Sequence, residues 1–114
     1  MSAALIAQKQ ASAHRMIQRW GGIGYLIRDG VQRAATMARM EYTPRERGLF
    51  GDKASRIRIS AIGLAVAPHH ELDTILYEGE EYKILDEVTG PRVTNVFVYY
   101  DCNSMFTNVD GAGS

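Results

Sequence analysis

With 114 residues, 46% of them hydrophobic and 23% charged, the chain has the make-up of one globular domain with a modest core, and no apolar run approaches the roughly 18 residues of a membrane-spanning helix. One cysteine, Cys102, excludes an internal disulfide framework, and Leu5-Ile6 gives way at once to Gln8, Lys9 and Gln10 instead of a secretory apolar stretch, so a reducing, cytoplasmic setting is expected. The net charge of zero hides an asymmetry: residues 1–58 carry 11 Lys+Arg against 4 Asp+Glu (+7), and residues 59–114 carry 2 against 9 (−7).

Residues 2–20 predict a helix. Ser2 is a candidate N-cap, and Ala13, Met16, Ile17 and Trp20 fall at i, i+3, i+4 and i+7, a stripe that places Trp20 and Ile17 in the core. Lys9, Arg15 and Arg19 lie mainly off that stripe, and Gly21-Gly22 ends the helix. Ile23, Tyr25 and Ile27 then alternate up to Asp29-Gly30, a pair that favours a hairpin because its turn needs positive φ. The partner, roughly Arg33–Tyr42, is ambiguous. Ala34, Ala35, Met37, Ala38, Arg39 and Met40 favour helix by propensity, whereas Thr36, Ala38, Met40 and Tyr42 alternate; the preceding turn decides for strand.

Thr43–Ser55 reads as a long charged loop broken by Pro44, Gly48 and Gly51, with Leu49-Phe50 unusually apolar in its middle. In the next segment Ile57 and Ile59 point inward and Arg56 and Arg58 outward. The apolar phase then shifts to Ile62, Leu64 and Val66, which predicts a β-bulge near Ser60-Ala61. A connector, Ala67–Asp73, holds Pro68 and His69-His70. Ile75–Leu85 reads as a hairpin on an acidic, Gly-centred turn, with Tyr82 and Ile84 on the core face and Glu81, Lys83 and Leu85 on the other. Gly90-Pro91 marks a further turn. Val96, Val98 and Tyr100 alternate with Phe97 and Tyr99 in the last strand, apolar on both faces, and Val98 is assigned to the core. Together these elements predict a mainly β, single-domain chain: an N-terminal extension and helix over 1–20, a small antiparallel β-barrel over 23–106 and a flexible tail over 107–114.

No catalytic constellation stands out, and an enzyme is not expected. His69-His70-Glu71 is the one metal-like cluster, but adjacent residues of an extended segment point apart and no further His or Cys lies at ligand spacing, so no metal and no cofactor are assigned. Cys102 lacks a neighbour that would mark it as a nucleophile. Glu78, Glu80, Glu81, Asp86 and Glu87 cluster on a solvated hairpin rim rather than in a protected pocket. Gly21-Gly22-Ile23-Gly24 follows a helix instead of opening one, so it offers no phosphate cradle. The +7/−7 polarity has two readings. The halves neutralise each other within the fold, or identical subunits meet basic side to acidic side, with Arg56 and Arg58 facing Glu78, Glu80 and Glu81.

The order of features resembles the head-completion (stopper, or head–tail connector) proteins of long-tailed bacteriophages. The resemblance is carried by Arg19-Trp20-Gly21-Gly22 at the helix end, Tyr42-Thr43-Pro44-Arg45-Glu46 before a Gly-containing loop, and Arg56 to Leu64. It continues through Asp73 to Ile84 and closes with Gly90-Pro91-Arg92-Val93 and Val96 to Tyr100. It covers about residues 15–102; residues 1–14 and Thr89-Gly90-Pro91 depart from the pattern. It implies a virion protein, built in the host cytoplasm, that forms a homo-oligomeric ring, commonly of twelve or six copies, beneath the portal and its adaptor. That ring closes the DNA-filled head and offers a docking surface to the tail terminator or tail tube protein. By position the loop Pro44–Ser55 would face packaged DNA, with Arg45, Arg47 and Lys53 near the channel and Leu49-Phe50 as a constriction. Two alternatives remain at this point: a tail terminator or other neck ring, and a small β-barrel nucleic-acid-binding module.

Overall fold

The computed structural model describes residues 3–51 and 54–107. The chain folds as an N-terminal helix, α1 (Ala3–Trp20), laid against a closed six-stranded antiparallel barrel. The barrel strands are β1 (Gly22–Arg28), β2 (Val31–Met40), β3 (Ala54–Ser60), β4 (Thr74–Tyr77), β5 (Glu80–Ile84) and β8 (Tyr99–Phe106), arranged β1-β2-β3-β8-β5-β4 and closed by the β1–β4 pair. A short helix, α2 (Pro44–Phe50), interrupts the β2–β3 connection, and a small ribbon of β6 (Arg92–Val93) and β7 (Val96–Phe97) precedes the last strand. Ser2 and residues 108–114, expected as an N-cap and as most of a tail, lie outside the described residues.

Two hairpin turns set the register. Arg28 pairs with Val31 across Asp29 (φ 52°) and Gly30 (φ 77°), and Tyr77 pairs with Glu80 across Glu78 (φ 52°) and Gly79 (φ 78°). Positive φ at both central residues is the twist that continues right-twisted strands, so the pairs Asp-Gly and Glu-Gly place the two hairpins as expected. The barrel interior holds Leu26, Ala35, Met37, Ile57, Ile59, Ile75, Tyr77, Tyr82, Ile84 and Cys102, with Leu64, Val88, Tyr100 and Phe106 packed at its margins. Ile57, Ile59, Tyr82 and Ile84 therefore occupy the core as the alternation predicted. Val98 is buried too, but beneath α1 rather than inside the barrel.

Other expectations are corrected. Trp20 is not core: it is 70% exposed, as is most of Met16 at 61%, and only Ile17 of that part of the stripe is buried. The helix is rolled so that Gln10 meets the β6–β7 ribbon, and His14 and Ile17 meet the barrel. Gln10 Nε2 donates to the Phe97 carbonyl (2.9 Å) and His14 Nδ1 lies 2.7 Å from Ser60 Oγ. An apolar count along the helix cannot see that two polar residues supply the anchoring. On β1 the phase is opposite to the one read from Ile23, Tyr25 and Ile27: Gly24 and Leu26 are buried, whereas Ile23 and Tyr25 face out. A Cβ on Gly24 would meet Met37 Sδ at 2.5 Å and the Leu76 carbonyl at 2.8 Å. The missing side chain is what admits Met37 to the interior, and a residue without a side chain carries no hydropathy signal.

The bulge expected at Ser60-Ala61 is a strand end. Ser60 Oγ accepts the Ile62 amide (3.1 Å), a local turn that competes with the ladder, and the change of apolar phase marks the start of a strand-free connector over 61–73. The last strand begins at Tyr99 rather than Val96; β7 pairs with β6 instead, and Val98 separates the two.

Candidate functional surface

Within the segment expected as a loop, Pro44–Phe50 form the helix α2. Thr43 caps α2 reciprocally with Glu46: its Oγ1 accepts the Glu46 amide (3.2 Å) and Glu46 Oε1 accepts the Thr43 amide (3.0 Å), with Pro44 at the first helical position. Glu46 also pairs with Arg56 of β3, which ties the helix to the barrel. The hydrogen bond from the Thr43 amide N–H and the Arg56 guanidinium hold the Glu46 carboxyl below its usual value, against the effect of burial. Phe50 stacks on Tyr42 (5.2 Å between centroids), and Arg56 lies 5.3 Å from the centre of the same Tyr42 ring. Burial pushes the Tyr42 hydroxyl up to about 12 against the opposing charge of Arg56. Arg45, Arg47 and Leu49 are left exposed, Leu49 at 74%. Arg47 also lines a polar cleft of about 190 Å³ with Arg39, Glu41 and Ser55. Lys53 lies outside the described residues.

The charge polarity is partly cancelled within the fold. Arg28 joins Asp73 through two bonds (2.8 and 2.7 Å), and Arg58 joins Asp101 through two more (2.8 and 3.2 Å). Both pairs link a first-half cation to a second-half carboxylate. Arg56 and Arg58, expected to face another subunit, thus have partners within the chain. Cations and acids are also left over: Lys9 and Arg19 on α1, and Glu78, Glu80 and Glu81 on the β4–β5 hairpin, are exposed and make no ion pair among the described residues.

Between α1 and the barrel runs an open groove of about 560 Å³. Its walls include Leu5, Met16 and Ile17 from the helix and Pro91, Val98 and Tyr99 from the barrel side. A smaller notch beside it is formed by Met16, Trp20, Ala38 and Met40. The exposed Met16 and Trp20 therefore border recesses rather than standing on a convex surface, an arrangement typical of contact surfaces.

The 61–73 connector ends in a braced turn. The His69 carbonyl accepts the amides of Leu72 (3.2 Å) and Asp73 (2.9 Å), and the Asp73 carboxylate accepts the His69 amide (2.8 Å). His69, His70 and Glu71 do not point apart, as they would in an extended segment: their potential donor atoms all lie within 4.8 Å of one another. Cys102, by contrast, is fully buried, and burial raises its thiol well above the ordinary range, so it is held as a thiol and not as a nucleophilic thiolate.

The β2–β3 segment, read from the sequence as a loop, contains a helix, although Thr43-Pro44-Arg45-Glu46 holds the Thr-x-x-Glu signature that marks such a start. Sequence reasoning missed His14 and Gln10 because their partners are remote in sequence. Among the described residues, no helix is long and apolar enough to cross a membrane. No protein-family model matches this chain, and neither a curated protein nor a solved structure matches it.

Proposed function

We propose that this chain is a ring-forming closure protein of a phage neck, seated below the portal and adaptor, where it seals the DNA-filled head and receives the tail. The observation that carries the reading is α2: a capped, barrel-tethered helix that offers Arg45, Arg47 and Leu49 to solvent from the connection where the resemblance expects a DNA-facing segment. A helix fixed at its start by Thr43 and Glu46 holds cations at a set place, which suits contact with phosphates parked in a channel better than a free tether does. The barrel itself has no free edge, so copies would meet through side-chain surfaces and not by adding strands. The unpaired α1 cations and hairpin acids favour a basic-to-acidic, head-to-tail contact. Replacing Arg45, Arg47 and Lys53 together with Glu leaves folding intact and lets packaged DNA leak; heads that stay full reject the channel role.

The same exposed arginines also favour a second reading, a small β-barrel nucleic-acid-binding module. That reading requires salt-sensitive DNA binding by the isolated subunit, whereas the closure role requires it only of the assembled neck.

A further inference from the structure

We propose that the turn at the end of the 61–73 connector is a binding site for a first-row transition ion of the zinc or nickel class, with His69, His70 and Glu71 as its protein ligands. Imidazole and carboxylate are the donor types that such ions select. The backbone brings three consecutive side chains to one side because it is folded back rather than extended. The His69 carbonyl takes two amides, and the Asp73 carboxylate, itself clamped by Arg28 of β1, takes the His69 amide. The two imidazoles lie nearly parallel, 5.0 Å apart with 16° between planes, and His70 Nε2 is 3.9 Å from Glu71 Oε1. Ligand atoms on a tetrahedral ion with bonds of about 2.0–2.1 Å stand roughly 3.4 Å apart, so the three donors must close in by on the order of 1 Å. The partly exposed rings and the freely exposed Glu71 have the rotamer freedom to do so, while the backbone beneath them stays fixed.

His69 and His70 also line a cleft of about 200 Å³ whose walls include Glu87 and Arg92, an acid that suits an added positive charge and a cation that opposes it. Coordination has a local cost. His69 Nδ1 accepts the Glu71 amide at 3.1 Å, so binding through that nitrogen gives up this exposed bond, and binding through Nε2 requires the ring proton to move to Nδ1. In either case the freed amide is exposed to water.

The test is calorimetric titration of the untagged full chain with Zn²⁺ and, separately, Ni²⁺, beside His69→Ala, His70→Ala and His14→Ala variants whose metal-free unfolding midpoints are recorded first. The expected result is saturable binding of one equivalent, weakened at least about tenfold by either turn-histidine substitution and unchanged by His14→Ala. The unfolding midpoint of the parent should also rise with metal concentration, since an ion that binds only the folded chain stabilises it. Absence of saturable binding overturns the assignment, as does parental affinity in either His69→Ala or His70→Ala.

Discussion

Arg58 and Asp101 are direct partners across the β3–β8 pair, and their guanidinium and carboxylate are joined by bonds of 2.8 and 3.2 Å. The same guanidinium lies 4.4 Å from the centre of the Tyr99 ring, so one side chain binds an acid and an aromatic face on the neighbouring strand. The hydrogen bonds that Arg58 donates to the Asp101 carboxylate raise the arginine's already high value, against burial, so the cation is retained at every working pH. Among the described residues, this contact is one of two ion pairs that join a cation of the basic first half to a carboxylate of the acidic second half.

Because the Arg58–Asp101 pair is only partly buried, its contribution is modest. In a double-mutant cycle, Arg58→Ala and Asp101→Ala are expected to be non-additive by about 1 kcal/mol, read from denaturant midpoints. Strict additivity would mean that the pair couples nothing.

The Arg28–Asp73 clamp gives a pH signature. Burial alone would raise the Asp73 carboxyl, but the bond from Arg28, the His69 amide and the charges of Arg28 and Arg33 outweigh it and hold the group below its ordinary value. A depressed carboxyl contributes stability that is present above the unfolded aspartate value of about 4 and is lost as pH falls through the folded value. Asp73→Asn is therefore less stable than the parent at neutral pH, and the gap narrows in acid. Thermal midpoints between pH 7 and pH 2 test this; a constant gap contradicts it.

Adjacent glycines should behave oppositely. A Cβ on Gly21 would stand 2.1 Å from the Met37 carbonyl oxygen and 2.7 Å from Ala38, whereas one on Gly22 meets nothing within 4 Å. Gly21→Ala must displace backbone and is expected to destabilise by about 1–3 kcal/mol, with Gly22→Ala within about 0.5 kcal/mol of the parent. Equal midpoints for the two variants contradict the close approach of the helix end to β2.

Ile84 and Trp20 form a second contrast. Ile84, 1% exposed, should cost about 2–5 kcal/mol when cut to Ala. Trp20, at 70% exposure, should cost less than about 0.5 kcal/mol despite its size. A Trp20→Ala loss as large as that of Ile84→Ala would put the indole back in the core.

What could be read from the chain in advance was what depends on neighbours. Asp29-Gly30, the Gly79 turn and the alternation at Ile57, Ile59, Tyr82 and Ile84 are local signals, and each was legible. The sequence order also favoured a barrel, though its closure by β1 against β4 brings together segments about fifty residues apart, a pairing that no local signal specifies. Two of the failures share a cause: they needed a partner. Trp20 looked like an anchor until Gln10 and His14 took that role through Phe97 and Ser60. Gly24 was silent because its function is to be absent where Met37 sits. Arg45, Arg47 and Leu49 are exposed on α2, a helix whose capping signature was read as loop.

The most direct test of the closure role is a null mutant of this gene in its phage, examined by electron microscopy with an assay for packaged DNA. Finished tails accumulating beside unjoined heads that lose their DNA are the expected result. Normal, infectious particles would contradict it, and full, stable heads beside abnormal tails would move the protein from head closure to the tail terminus.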